Sequence, residues 1–409
     1  RRSEEIVGFL QDLLLGASPY EEPGEELTAR ELVDRGAERI ADLDGEPETQ
    51  AALQTLIGRV YLDLGRAADA VPLFRAARAT REAQGLAVDA AISARDLGRA
   101  LRDIEEADEA GRWLRASLAE LEALPGADPV EVALSQRHLG SLLRDAGDYA
   151  SAEAFYRTAL ATARRERGSD DPDVLDITTS LVIALRAQDE LGEAADLMAS
   201  VVASERRTRP PDHPLLASSI AMYSTLLAGA GRGTDAVAAA REANRILRAA
   251  HPDTTHPDIA AGIQGLAIAF RADGRLAEAD AAYTDAVARL RASHGPGDPR
   301  VLAAMTAHGT LKEERGDAAA AAAIYREAAR NARALPRSEG ILWSYLADNR
   351  ARARAWADAQ AAFRRSVAVL RAEGLDEDLD GVVTDFADAA REAGRPDLAD
   401  AALRERPSP

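Results

Sequence analysis

The sequence predicts an all-α protein, a solenoid of about nine stacked helical hairpins, and three observations carry that expectation. Alanine dominates the apolar content, one sequence pattern recurs with a nearly constant period, and a proline signal recurs ahead of it. Hydrophobic residues make up 46% of the 409 residues while aromatics make up only 4%. Alanine is the best helix former, and a core of small side chains suits closely packed helices better than one large globular centre. Charged residues at 29% keep the surface solvated and place the chain among folding rather than disordered sequences.

The recurring pattern is a Gly or polar turn, an alanine five residues on, and a large apolar residue four later. It reads GRAADAVPLFR from Gly65, GDYASAEAFYR from Gly147, GRLAEADAAYT from Gly274 and GDAAAAAAIYR from Gly316. Weaker copies start at Glu105, Asp189 and Gly231, and degenerate ones at Arg354 and Gly394. Aligned on the alanine, the copies give Ala70, Ala110, Ala152, Ala194, Ala236, Ala279, Ala321, Ala359 and Ala399. The spacings are 40, 42, 42, 42, 43, 42, 38 and 40. A small residue fits where two helices of a hairpin approach closely. The large residue one turn on (Phe74, Tyr156, Tyr283, Tyr325, Phe363) is expected to fill space toward the next hairpin.

The start signal stands as ADPVEVA at Ala127, DDPDVLD at Asp170, DHPLLAS at Asp212, THPDIAA at Thr255 and GDPRVLA at Gly297. Proline suits the first helical turn, where its missing N–H would go unpaired anyway. An acidic neighbour suits the positive end of the helix dipole. Each period therefore reads as a proline-started helix, a short turn, a second helix and a longer loop. One hairpin cannot bury its apolar face alone, so neighbours stack.

The period, the HPD-type start and the GRxxEA turn resemble the tetratricopeptide repeats of kinesin light chain, over about residues 47–405. The resemblance implies a right-handed superhelical solenoid of tetratricopeptide-type hairpins that binds extended peptides on its concave face. The standard tetratricopeptide repeat is shorter, so longer helices and a deeper groove are implied.

Residues 1–46 do not repeat and read as two amphipathic helices around an acidic loop. Their apolar sets are Ile6, Val7, Leu10, Leu13 and Leu14, then Leu32, Val33, Ala37 and Ile40. We expect an N-terminal capping or linker segment at 1–46, the repeat array at 47–373, and a degenerate C-terminal repeat and tail at 374–409. Glu5–Leu14 and Leu27–Ile40, followed by the repeats, resemble a segment of bacterial serine/threonine protein kinases that joins kinase to repeats. That resemblance implies a parent kinase, often with a membrane helix between the two parts. The chain opens at Arg1 without Met, in keeping with a piece of a longer polypeptide.

Several function classes are disfavoured. A net charge of −19 argues against nucleic acid as the main partner. Cysteine is absent, which removes disulfides and thiolate chemistry. No stretch approaches the roughly 18 apolar residues of a membrane span. The one lysine, Lys312, precedes a Gly turn, and no DFG or HRD motif accompanies it, so no kinase machinery lies within the chain. The histidines are His138, His213, His251, His256, His294 and His308, none in an HExxH or clustered metal pattern, although His251 and His256 share a loop. No cofactor, metal or catalytic residue is expected.

The expected site is the groove lined by the first helices. In the resembling family, paired Asn residues mark it. Carried across, those positions are Arg95–Asp96, Arg137–His138, Thr179–Ser180, Ala221–Met222, Gln264–Gly265, Thr306–Ala307 and Ser344–Tyr345, none an Asn pair. Arg95, Arg99 and Arg102 share one helical stripe, and Arg137, Arg144 and Arg186 hold related positions on the next two helices. Bidentate guanidinium contacts suit an acidic or phosphorylated segment. Thr179, Ser180, Gln264, Thr306, Ser344 and Tyr345 complete the candidate groove, while Trp343 and Trp356 read as packing residues of a terminal cap. The expected function is a protein- or peptide-binding scaffold, the sensing or substrate-recruiting region of a bacterial serine/threonine kinase, with intramolecular contact to the kinase. The alternatives are the repeat region of a nucleotide-binding transcription or defence regulator, and a self-assembling structural module. The location is left open by the sequence: cytoplasmic, or extracytoplasmic if a membrane helix precedes residue 1.

Overall fold

A computed structural model describes residues 28–40, 47–251 and 256–407, and among these it holds nineteen helices and no strand. Helix α1 spans Ala29–Ile40. The other eighteen follow one another as nine helix–turn–helix units, and the chain divides into two compact units, Arg1–Leu197 and Met198–Pro409.

The first unit contains α2 (Pro47–Asp63) with α3 (Ala67–Ala83), and α4 (Ala87–Asp103) with α5 (Ala107–Ala123). It continues with α6 (Pro129–Asp145) and α7 (Tyr149–Arg167), then α8 (Pro172–Ala187). The boundary between the units falls inside α9 (Leu191–Thr208). The second unit runs through α10 (Pro214–Gly229), α11 (Gly233–Ala250), α12 (Pro257–Ala272) and α13 (Leu276–His294). It ends with α14 (Pro299–Glu314), α15 (Ala318–Asn331), α16 (Pro336–Arg352), α17 (Trp356–Ala372), α18 (Asp376–Glu392) and α19 (Pro396–Leu403). Among the described residues no helix is long and apolar enough to cross a membrane.

The start signals work by capping. Side chains of Asp128, Asp171 and Asp298 accept the backbone N–H two residues on, each at 2.9 Å. His213 and His256 do the same through Nδ1, at 3.2 and 3.3 Å. The residue before proline thus satisfies an N–H that no helix turn can reach. At the turns between paired helices the chain passes through positive φ, usually at glycine. The three exceptions among the described residues are Glu105, Asp189 and Arg354, at φ 65°, 63° and 57°. These open the copies that begin without glycine, so the turn keeps its shape where the sequence has lost the residue that adopts it most cheaply.

All nine aligned alanines, Ala70 to Ala399, are fully buried. The large residue that follows packs inward onto its own hairpin, not only toward the next. Phe74 fills the space over Gly58, Leu114 that over Gly98 and Tyr156 that over Gly140, where an added Cβ would stand 2.8, 2.7 and 3.0 Å from the nearest side-chain atom. In the second unit Tyr325 lies over Gly309 in the same way. Where Ala240 replaces the large residue, Ser224 stands opposite, and its hydroxyl donates to the Ala236 carbonyl at 2.8 Å. Helix-to-helix distance is thus held by glycine on the first helix as well as alanine on the second.

Helix α1 lies on the first hairpin: Ile40 is buried with Leu53, Ile57 and Phe74, and Leu32, Val33 and Ala37 pack against that cluster. The Tyr61 hydroxyl donates to Asp34 at 2.7 Å, and Arg66 pairs with the same carboxylate. The expected helix over Glu5–Leu14 lies outside the described residues.

Ion pairs stitch neighbouring hairpins at an offset of about one period. Arg59 pairs with Asp96, 37 residues on. Arg157 pairs with Glu193 and Arg206 with Glu242, each 36 residues on. Arg271 pairs with Glu314, 43 residues on.

Candidate peptide-docking face

The arginines expected to line the groove sit on α4, α6 and α8, within the first unit. Arg95 is only 4% exposed, its Nη1 2.5 Å from Glu131 and its Nε 3.5 Å from Asp96. Burial works to lower its pKa, but Asp96 and Glu131 outweigh that and hold it above the ordinary value. Arg99 lies 3.7 Å from Asp63. Arg102 pairs with Asp103 at 2.7 Å and reaches Asp145 at 3.5 Å, and Arg144 pairs with Asp145 at 2.7 Å. Arg137 lies 3.5 Å from Asp176, and its Nε donates to the Ser180 hydroxyl at 3.3 Å. Arg186 is exposed at the end of α8 with no ion pair among the described residues.

His138 lies near the guanidiniums of Arg95, Arg99, Arg102 and Arg137, 8% exposed, with no hydrogen-bond partner for Nδ1 among the described residues. Burial, and then the charges of Arg137, Arg95, Arg102 and Arg99, push its pKa well below the usual histidine range. The imidazole is therefore neutral at pH 7, able to donate at one nitrogen and accept at the other. Thr179 and Ser180 donate their hydroxyls to the carbonyls of Leu175 and Asp176 in their own helix.

This strip is internally balanced rather than purely cationic. Each guanidinium carries five N–H donors, and the hydrogen bonds of Arg102 and Arg144 to their acids use only Nε and Nη2. The carboxylates fix the direction of each fork and leave further N–H donors that these bonds do not use. The acids Asp63, Glu131, Asp145 and Asp176 were not legible as part of the site, whereas Asp96 was, as one half of the Arg95–Asp96 position. The available signal for those four was their spacing from the arginines they meet, close to one period in each case.

In the second unit the corresponding positions differ in chemistry. Gln264 on α12 and Thr306 on α14 are half-buried, and Thr306 donates to the Leu302 carbonyl. Ser344 on α16 donates to the Ile341 carbonyl at 2.7 Å. Tyr345 is 41% exposed and stacks on Tyr325 at 5.6 Å between centroids. Trp343 is buried and donates Nε1 to Glu339 at 3.2 Å, while Trp356 packs edge-on against Phe386. Asp280 on α13 gathers His308 and Lys312 of α14, at 2.7 and 2.6 Å, together with Arg315 just beyond. The lone lysine thus serves an ion-pair cluster.

Residues 131–207 and 258–334 match the tetratricopeptide repeat family. The chain carries tetratricopeptide repeats. Among solved structures, the apo form of RapI aligns over 87% of this chain and 96% of its own, with a TM-score of 0.57 at 10% identity. A Rap protein complexed with competence and sporulation factor aligns over 87% and 96%, with a TM-score of 0.51 at 12% identity. A kinesin light chain repeat array from Podosopora anserina is 23% identical over 49% of this chain and 94% of its own, with a TM-score of 0.45. No curated protein matches the sequence. At these identities the likeness is one of fold. Tetratricopeptide arrays are protein-binding scaffolds and are generally non-catalytic.

Proposed function

We propose that the tetratricopeptide array docks an extended, acidic or phosphorylated protein segment along α4, α6 and α8, and that it recruits this partner for a bacterial serine/threonine kinase. The observation that carries the docking reading is the set of guanidiniums around His138. Arg99, Arg102, Arg137 and Arg144 are pre-oriented by their own carboxylates while keeping N–H donors, and Arg186 has no ion pair among the described residues. Pre-oriented forks bind a carboxylate or phosphate at a lower entropy cost than free arginines. The kinase part rests on the resemblance of Leu27–Ile40 and the segment before it to the kinase-to-repeat junction.

The docking reading is tested by affinity capture on the purified chain, comparing it with an Arg137→Glu, Arg144→Glu, Arg186→Glu variant of equal helicity. A partner held by the native chain and lost from the variant is the expected result. Equal capture by both would place recognition elsewhere. The kinase reading stands if the gene encodes kinase motifs ahead of Arg1, and falls if it encodes a P-loop there.

A further inference from the structure

We propose that His251, His256 and Asp258 form a binding site for a divalent transition-metal ion of the zinc or cobalt class. One ligand atom from each of the three residues lies within 4.8 Å of the others, and this is the one such group among the described residues. His251 directly follows the end of α11 at Ala250, and His256 and Asp258 flank Pro257, where α12 starts. The rings are stacked, with centroids 3.7 Å apart and planes 7° from parallel.

The nitrogens are not otherwise well used. Nε2 of His251 is buried with no hydrogen-bond partner among the described residues. It lies 3.3 Å from Asp258 Oδ2 without forming a hydrogen bond to it. His256 spends Nδ1 on capping the Asp258 N–H, at the long distance of 3.3 Å. Asp258 is exposed, which gives an ion a way in. His213 shows what capping alone requires: it accepts from Leu215 N through the same atom, and Leu215 stands where α12 has Asp258. The second imidazole and the carboxylate are therefore additions that the cap does not need.

Two imidazoles and one carboxylate favour zinc, cobalt, nickel or copper over calcium and magnesium, which prefer all-oxygen sets. Metal–ligand bonds of about 2 Å place tetrahedral ligands about 3.3 Å apart. Binding would therefore contract the group and turn one ring out of the stack, since a metal lies in the plane of each imidazole it bonds. With three protein ligands the fourth position stays open to water or to a group on a bound partner. The ion would tie the end of α11 to the start of α12.

The test is cobalt titration of the tag-free, chelator-treated chain, followed by visible absorption, with zinc as competitor. His256→Ser keeps an N-cap while removing the imidazole, and His251→Gln keeps a polar side chain of similar size. His213→Ala serves as the control. The expected result is one cobalt per chain with tetrahedral-type absorption, displaced by zinc, and weakened about tenfold or more in either variant but not in the control. Cobalt binding no tighter in the native chain than in the His251→Gln, His256→Ser double variant would overturn the proposal. So would displacement of cobalt by an equal concentration of magnesium.

Discussion

Burial pushes the Asp348 carboxyl up to about 6; Arg352 opposes this, and Asp385 and Glu313 add to it. The residue faces a cleft lined also by Asp388 and Glu392. A raised folded-state pKa means that the folded chain binds a proton more readily than the unfolded one between about pH 4 and 6. Asp348 therefore costs stability above that window and nothing below it. Asp348→Asn is expected to raise stability by about 1–2 kcal/mol at pH 7.5 and by little at pH 4. Urea midpoints at the two pH values check this, and an equal gain at both would contradict the titration argument. Asp280 is the opposite case. Burial would raise its carboxyl, but Lys312, His308 and Arg315 hold it down to about 2, so its contribution is present at neutral pH and is lost as pH falls toward 2.

At the scale of the helix, packing turns on glycines that face a large residue sixteen positions later. Gly58 and Gly265 both sit inside helices, but a Cβ on Gly58 would stand 2.8 Å from the Phe74 ring, whereas nothing lies within 4 Å of one on Gly265. Alanine gains up to about 1 kcal/mol over glycine in a helix interior, while overfilling a packed core costs about 1–3 kcal/mol. Gly58→Ala is therefore expected to lower stability by about 1–2 kcal/mol, and Gly265→Ala to raise it by up to about 1 kcal/mol. Matched signs in thermal unfolding would refute the packing argument. The buried alanines, the proline starts and most of the turns could be read directly from the sequence, because period and local chemistry decide them. The glycines opposite Phe74 and Tyr156 could not, because the repeated pattern was sought on the second helix while its counterpart lies on the first. Most of the acids that neutralise the arginine strip were missed for a similar reason. Which charges meet depends on side-chain direction across a hairpin boundary, and sequence distance alone does not give it. The convergence of Asp258 on His251 and His256 likewise depends on how the end of α11 and the start of α12 lie together, which sequence distance does not give.

Across the whole molecule, helices pack on their chain neighbours and more sparsely on the next first helix along, so each unit is stabilised hairpin by hairpin. Among the described residues α19 has a neighbouring helix on one side only along the chain. Helix α19 is also just eight residues long, against nineteen for α7. Its amides are expected to exchange with solvent at least about a hundredfold faster than those of α7, as read by hydrogen–deuterium exchange and mass spectrometry. Uniform protection would instead indicate a single cooperative block. The ion pairs add a point about inheritance. Arg59, Arg157 and Arg206 each reach an acid 36 or 37 residues downstream, so donor and acceptor belong to adjacent copies of one unit. Tandem duplication or loss of a whole copy keeps this offset between neighbouring copies, whereas an insertion of any other length within a copy changes it. On this ground a change in the number of copies disturbs these contacts less than a shift of register between the two partners of a pair.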